Sequence, residues 1–406
     1  MHIVVVIGGG AAGMMAAYAS AKLNKRTILI EQNEKLGKKV YITGKGRCNL
    51  TCAVDNNEFF KNVVTNPKFL FSAINLLSPY EVREFFEQNG LKLKEERGKR
   101  IFPITDKASD VNKTFEKVLK KLGVEIKLNT KVVEIIQENG CVLGIRTETE
   151  QIYCDSIIVC TGGVSYPLTG SNGDGYKFAQ ELGHQVVSAK PGLVGIEIKG
   201  TDYLNMQGLS LKNVNLSAIL NNKTIFSEFG EMLFTHYGVS GPIVLSCSSI
   251  INKFNVNNIK LHIDLKPALN IEVLDNRLLR EFKENNAKAI TTALRSLLPK
   301  SLIEIVLKQA NVSLIKNCSQ ITAEERKNII LTLKNLVFLV KKLRPIEEAI
   351  ITSGGINVKE INPKTMESKL VKGLFFAGEV IDVDAFTGGF NLQIAFSTGF
   401  CAGNYA

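Results

Sequence analysis

No apolar run in this sequence of 406 residues approaches the roughly 18 residues that a membrane-spanning helix needs. The apolar start Ile3–Ile7 runs straight into glycines with no basic leader before it, which argues against a secretory signal. Eight cysteines, at positions 48, 52, 141, 154, 160, 247, 318 and 401, form no C-x-x-C pair and no zinc-like ligand spacing. They read as reduced thiols, so a cytoplasmic protein is expected. Internal repeats, low-complexity tracts and a disordered tail are also lacking.

What is present is an ordinary globular composition, 45% hydrophobic and 22% charged. A chain this long exceeds one simple core, so two or three domains are expected, one of them an insertion. The net charge of +11 fits an anionic partner or a lysine-rich solvated surface equally. The densest basic stretch, Lys92 to Arg100, is diluted by Glu95 and Glu96 and carries no interleaved aromatic residue. The expected partner is therefore a small molecule, with no membrane and no nucleic acid, and the oligomeric state stays open.

Ile3–Ile7 is a β-branched run, Ala11 to Leu23 favours helix, and Thr27 to Glu31 is again strand-like, which together make a βαβ unit with parallel pairing. From Val124 to Cys160, short alternating runs around Asn139-Gly140 predict a meander feeding a final strand. Short strands recur from about 191 to 265, and helical periodicity takes over from 270 to 330. After Ile350 the strand-and-glycine texture returns. The expected fold is α/β: a Rossmann-like domain from 1–190 plus 346–406, a β-barrel-like insertion from 191–265 plus 331–345, and a small helical domain over 266–330.

Four motifs carry chemistry. In the first, Gly8-Gly9-Gly10-Ala11-Ala12-Gly13 follows a strand and opens a helix, and Glu31 closes the second strand. Gly8 permits the tight turn, Gly10 lets a pyrophosphate approach the backbone, and Gly13 lets helix and strand pack closely. The free N–H groups of the helix end favour an anion. Glu31 is placed to accept hydrogen bonds from adenosine ribose hydroxyls and to repel a 2′-phosphate. Such a glycine fingerprint alone is unspecific; strand, helix and terminal acid together are not.

The second motif is Gly44-Lys45-Gly46-Arg47-Cys48-Asn49-Leu50-Thr51. Arg47 and Lys38 offer cationic donors to phosphate, and a basic surface turn is the plain alternative. Cys48 beside Arg47 has two readings, a thiol of lowered pKa or a packed structural thiol. In the third motif a strand ends in Thr161-Gly162-Gly163, where α/β sheets place ligands. The fourth runs from Leu374 through Gly378-Glu379 to Gly388-Gly389-Phe390-Asn391-Leu392-Gln393 and an apolar helix. Glu379 can face a ribityl chain, and the helix end near Gly389 can face an electron-rich ring. Pairing an N-terminal phosphate site with this C-terminal helix end points to FAD rather than NAD as the resident cofactor.

With these motifs, the chain resembles the aminoacetone oxidase family of FAD-binding, NAD(P)/FAD-dependent oxidoreductases, which includes a bile-acid reductase branch. The most specific stretches are Gly44 to Thr51, Gly162 to Pro167 with Thr169 to Gly175, Leu233 to Pro242, Thr352 to Ile356, and Gly378 to Gln393. The resemblance implies FAD contacts at Gly8 to Gly13, Glu31, Arg47 to Leu50, Val133, Thr161, Gly162, Glu379 and Gly389 to Leu392. Gln32, Lys38, Gly44 and Gly378 complete the expected cofactor set. Cys52 departs from the family's usual asparagine. The implied activity is hydride transfer between a small organic molecule and flavin, with oxygen or transiently bound NAD(P)H as electron partner. Gly170 to Gly175 has reversed glycine spacing and no clear strand before it, which disfavours a stable second dinucleotide site. A flavin-dependent RNA-modifying or RNA-binding protein and a non-catalytic FAD-binding module remain as alternatives. His236, in the Thr235-His236-Tyr237-Gly238 segment, is the acid/base candidate, against the plain reading of a hydrogen-bonded loop histidine. His2, His184 and His262 show no partner pattern.

Overall fold

The computed structural model describes Met1–Ala406, which form two compact units: Met1–Gly192 with Ile346–Ala406, and Leu193–Pro345. The first is built on five parallel strands ordered Leu374–Phe376, Ser156–Val159, β1 (Ile3–Ile7), β2 (Arg26–Ile30) and Glu125–Lys127. Val4, Val5 and Val6 are fully buried, as a central parallel strand covered on both faces requires. The expected βαβ unit is present: helix α1 (Ala11–Lys22) connects β1 to β2.

Helix α1 is buried over nearly all its length, and its alanines leave room for the C-terminal helix Phe390–Tyr405. A Cβ on Gly399 would lie 2.2 Å from the Ala12 carbonyl oxygen, and one on Gly403 2.2 Å from that of Ala16. Two glycines four residues apart thus seat one helix directly on the other, which joins the two ends of the chain in one core. The expected meander is the antiparallel sheet of Val132–Glu138, Cys141–Thr147 and Gln151–Tyr153.

The second unit holds a closed six-stranded antiparallel barrel, ordered Ile196–Ile198, Gly238–Ser240, Lys223–Thr235, Ser210–Leu220, Ile259–Asp264 and Leu336–Leu343. Ile259, Leu261 and Ile263 point inward and alternate with Lys260, His262 and Asp264, the two-residue period of a half-buried strand. The helices Ile271–Glu284, Lys300–Gln309 and Ala323–Lys334 bury Leu278, Val306 and Leu333 in the same core as the barrel strands. Side-chain caps start two of them, Asn270 on the Val273 N–H at 2.8 Å and Thr322 on the Glu325 N–H at 3.1 Å. No helix of the chain is long and apolar enough to cross a membrane.

Seven of the eight cysteines are buried and Cys141 alone is exposed. Burial pushes the thiols of Cys52, Cys154 and Cys401 up to about 12. A raised thiol pKa stabilises the fold fully below the ordinary thiol value of about 8.5, and that contribution is lost as pH rises through about 12. At mildly alkaline pH a disulfide reagent should therefore modify one thiol of the native protein quickly, and Cys141→Ser should abolish that phase. A second fast thiol in Cys141→Ser would contradict this burial pattern.

Candidate functional site

The first motif closes as its spacing requires. The Gly8 N–H donates to the Ile30 carbonyl at 2.8 Å, and a Cβ on Gly13 would fall 1.8 Å from the Gly8 carbonyl oxygen. Helix α1 therefore touches the turn that precedes it. Glu31 is buried, and its carboxylate accepts from the Gly9 N–H at 2.8 Å, the Asn33 N–H at 2.9 Å and Asn33 Nδ2 at 2.6 Å. These charge-assisted bonds fix both the glycine turn and the acid that ends β2. Around Gly10 the arrangement is the opposite: no heavy atom lies within 4 Å of where its Cβ would stand. The first-turn N–H groups of Ala11, Ala12 and Gly13 have no carbonyl partner within the helix.

The other motifs converge on this turn. Cys160 continues the neighbouring strand, its N–H donating to the Ile7 carbonyl at 2.8 Å, and Thr161 Cα would lie 3.2 Å from a Gly8 Cβ. Gly162 has a left-handed φ of 73° beside Ser171. Gly378 packs against Ala12, and its N–H donates to Thr398 Oγ1 at 2.9 Å. Gln32 Nε2 donates to the Gly170 carbonyl at 2.8 Å, which ties the end of β2 to the Tyr166–Gly170 loop. The Thr130 N–H donates to the Glu31 carbonyl at 3.0 Å, and Val133 follows three residues later with an exposed side chain.

Glu379 is held more tightly than its motif suggested. Lys39 Nζ donates to it at 2.8 and 3.0 Å, Ser165 Oγ at 3.1 Å and the Thr352 N–H at 2.7 Å. Lys39 Nζ also reaches Ser165 Oγ at 2.6 Å. Lys39 thus takes the bridging place between the second and fourth motifs, and its neighbour Lys38 turns away to Glu34 at 2.9 Å and Asn33 Oδ1 at 3.1 Å. Thr51 and Gln393 make a second bridge, Thr51 Oγ1 donating to Gln393 Oε1 at 2.5 Å. Gln393 is fully buried and also donates to the Leu77 carbonyl and Ser397 Oγ, both at 2.9 Å. The bridging roles of Lys39 and Gln393 were not legible locally, because Glu379 lies 340 residues from Lys39 and Thr51 lies 342 from Gln393.

One expectation is corrected. The Arg47 guanidinium does not stand free for phosphate. It is paired with Glu96 and with Asp106 at 2.6 Å, and lies 4.3 Å from the centre of the Phe102 ring. Glu96, one of the two acids that dilute the basic stretch, thus captures it together with Asp106. Of the two readings of Cys48, the packed structural thiol holds: it is fully buried and its pKa is pushed up to about 12 by desolvation.

At the C-terminal helix, Gly389 caps the N-terminus with φ 94°. Phe390 packs edge-on against Phe59, and Leu392 is partly buried against the same core. Asn391 pins the preceding loop, accepting from the Ala385 N–H at 2.9 Å and donating to the Ala385 carbonyl at 2.8 Å. His236 sits in the second unit on the two-residue turn between Lys223–Thr235 and Gly238–Ser240, exposed and edge-on to Tyr237. His184 is a structural bridge in the first unit, with Glu360 at 3.2 Å and Ser368 at 2.9 Å.

Residues 2–405 match the family described as HI0933-like protein Rossmann domain. The chain belongs to the HI0933-like family. It is an FAD-dependent oxidoreductase of that family. Among its relatives, a 3-dehydro-bile acid delta(4,6)-reductase of Clostridium scindens is 28% identical, covering 100% of this chain and 99% of the relative. A ribosomal RNA dihydrouridine synthase of Haemophilus influenzae is 31% identical, covering 98% of this chain and 97% of the relative. In fold, the family member is similar to 3-ketosteroid-delta4-(5alpha)-dehydrogenase from Rhodococcus jostii RHA1, with a TM-score of 0.53 and 14% identity over 100% of this chain and 96% of that one.

The residues present fit FAD. Gly10 leaves open space where a side chain would otherwise stand. Thr161 Oγ1, Tyr176 Oη and Asn49 Oδ1 are buried without hydrogen-bond partners, a costly state that a bound polar group would relieve. Burial raises the Tyr176 hydroxyl further above its ordinary range, and Glu379 and Asp382 add to this, so it stays a donor. Tyr176→Phe should leave the stability of the apoprotein within about 1 kcal/mol, because no made bond is lost, and should weaken FAD binding about 5- to 10-fold. Equal FAD affinity of the two proteins in an equilibrium titration would remove Tyr176 from the site.

Proposed function

We propose that this protein reduces a polarised carbon–carbon double bond, with NAD(P)H as a transient electron source and oxygen as a competing acceptor. Two relatives' names share this chemistry, since a delta(4,6) reduction and the making of dihydrouridine both add two hydrogens across such a bond. The observation that carries the reading is the single cradle made by both ends of the chain, with Gly10 open and Glu31 and Glu379 each locked in place. FAD, when bound, supplies hydride exchange at its ring.

In this reading the α1 turn from Gly8 to Gly13 binds the pyrophosphate, and Glu31, Gln32 and Val133 flank the adenosine. Thr161 and Gly162 line the middle of the cofactor, and Gly378 and Glu379 face its ribityl chain. Gly44 and the main chain of Arg47 to Leu50, with Gly389 to Leu392, border the ring. Lys39 holds Glu379 in position rather than touching substrate. His236 is proposed as proton donor, an exposed imidazole on a turn between two barrel strands. An unchanged rate of product formation in His236→Ala, with full FAD content, would eliminate it.

A second reading of the substrate, uridine in RNA, draws on the charge distribution. The unit Leu193–Pro345 holds 20 of the 50 Lys and Arg but only 12 of the 39 Asp and Glu, so it carries +8 of the +11. Anaerobic mixing with NADH or NADPH tests the whole proposal: the flavin absorbance should bleach, then return on adding either a steroid enone or uridine-containing RNA. A bleached flavin that neither acceptor reoxidises, although air does, would defeat double-bond reduction and point to an oxidase.

A further inference from the structure

The barrel carries one spot of concentrated positive charge that flavin chemistry does not use. Strand Ile196–Ile198 pairs on one side with Gly238–Ser240 and on the other with Leu336–Leu343, placing Glu197 opposite both Gly238 and Lys342. The register shifts between Glu197 and Ile198, so Lys341 is an extra residue in its strand. Such a bulge turns neighbouring side chains toward one face. Here it brings Lys341 Nζ to 3.9 Å and Lys342 Nζ to 3.6 Å from the carboxylate of Glu197, where Arg344 also binds at 2.9 Å. Three cations thus gather on one buried acid. Arg344 further lies 4.8 Å from the centre of the Tyr237 ring, and Tyr237 carries the exposed His236 beside it.

Neutralising the buried Glu197 accounts for Arg344 but not for the two lysines. Lys341 and Lys342 are 60% and 58% exposed, and ion pairs that exposed contribute little. Two ammonium groups held around one acid also repel each other. A surface that keeps cations crowded, with a guanidinium braced on a ring and a histidine ring exposed, suits a chain of phosphates with unpaired bases.

We propose that this outer face of the barrel is a polynucleotide-binding surface, with Lys341, Lys342 and Arg344 against phosphates. The proposal rests on the reading of RNA as the substrate. Its test is binding of a fluorescein-labelled oligouridylate to the FAD-loaded protein over a salt series. Lys341→Ala/Lys342→Ala should weaken binding about tenfold at low salt and reduce the slope of log affinity against log salt by about 1.4, as loss of two single-strand phosphate contacts predicts. Lys120→Ala/Lys121→Ala removes the same charge from the exposed end of helix Ala108–Lys121 and should change neither quantity. Flavin content and thermal unfolding of both variants should match the parent.

If the parent binds and the barrel variant binds equally well, the surface is wrong while the RNA reading stands. Equal weakening by both variants would reduce the effect to bulk charge and also overturn the surface. No binding by the parent at low salt would overturn the surface and the RNA reading together.

Discussion

Gly13→Ala should give a colourless, destabilised protein. In an ordinary helix the exchange of glycine for alanine is favourable by up to about 1 kcal/mol. At this position the new Cβ would lie 1.8 Å from the Gly8 carbonyl oxygen and 3.0 Å from its carbon. Both are backbone atoms of a turn held by the Gly8 bond to Ile30 and the Gly9 bond to Glu31, so they cannot swing aside as a side-chain tip can. Either α1 moves off the sheet or the turn deforms, and overpacking of this kind costs about 3 kcal/mol or more, outweighing the helical gain. Gly10→Ala is the matching control. Its Cβ meets nothing within 4 Å, so the apoprotein should keep its stability while FAD affinity falls steeply. Thermal unfolding of the two apoproteins, paired with FAD titration, separates the cases. If Gly10→Ala binds FAD as tightly as the parent, the open space over Gly10 is not where the cofactor passes.

Gly399→Leu should separate the ends of the chain with a comparable loss. Its Cβ would meet the Ala12 carbonyl oxygen at 2.2 Å, and the larger side chain has no space where α1 lies against the C-terminal helix. The expected cost is again about 3 kcal/mol or more. FAD should be lost in parallel, because the same helix carries Thr398, which receives the Gly378 N–H, and Gln393, which holds Thr51. Leu331→Ala, an exposed position on Ala323–Lys334, should leave both properties nearly unchanged. A Gly399→Leu protein with parental melting and FAD content would show that the chain ends do not depend on this helix contact.

Local physics made much of the protein legible from its residues. A βαβ unit needs only a buried β-branched run, an alanine-rich helix and glycines at short fixed spacing, and Gly8 to Gly13 with Glu31 meet these conditions within one stretch of chain. The barrel strands announce themselves by two-residue alternation, and the helices after 270 by their apolar stripe. Arg47 shows where such reading stops. Its charge suggests a phosphate donor, but its partners are decided by a strand that returns Glu96 to it and a turn that brings Asp106.

By itself, then, the order of residues determined the elements, the glycine turn, the acid at the end of β2 and the kind of cofactor. Those features depend on steric rules acting over a few residues. Only tertiary structure decided that Lys39 rather than Lys38 holds Glu379, 340 residues away, and that Gln393 binds Thr51. It also decided that Cys48 is a sealed thiol and that a bulge gathers Lys341 and Lys342 on Glu197. Burial and long-range pairing belong to the folded chain as a whole, since desolvation and hydrogen-bond geometry exist only once distant segments have met.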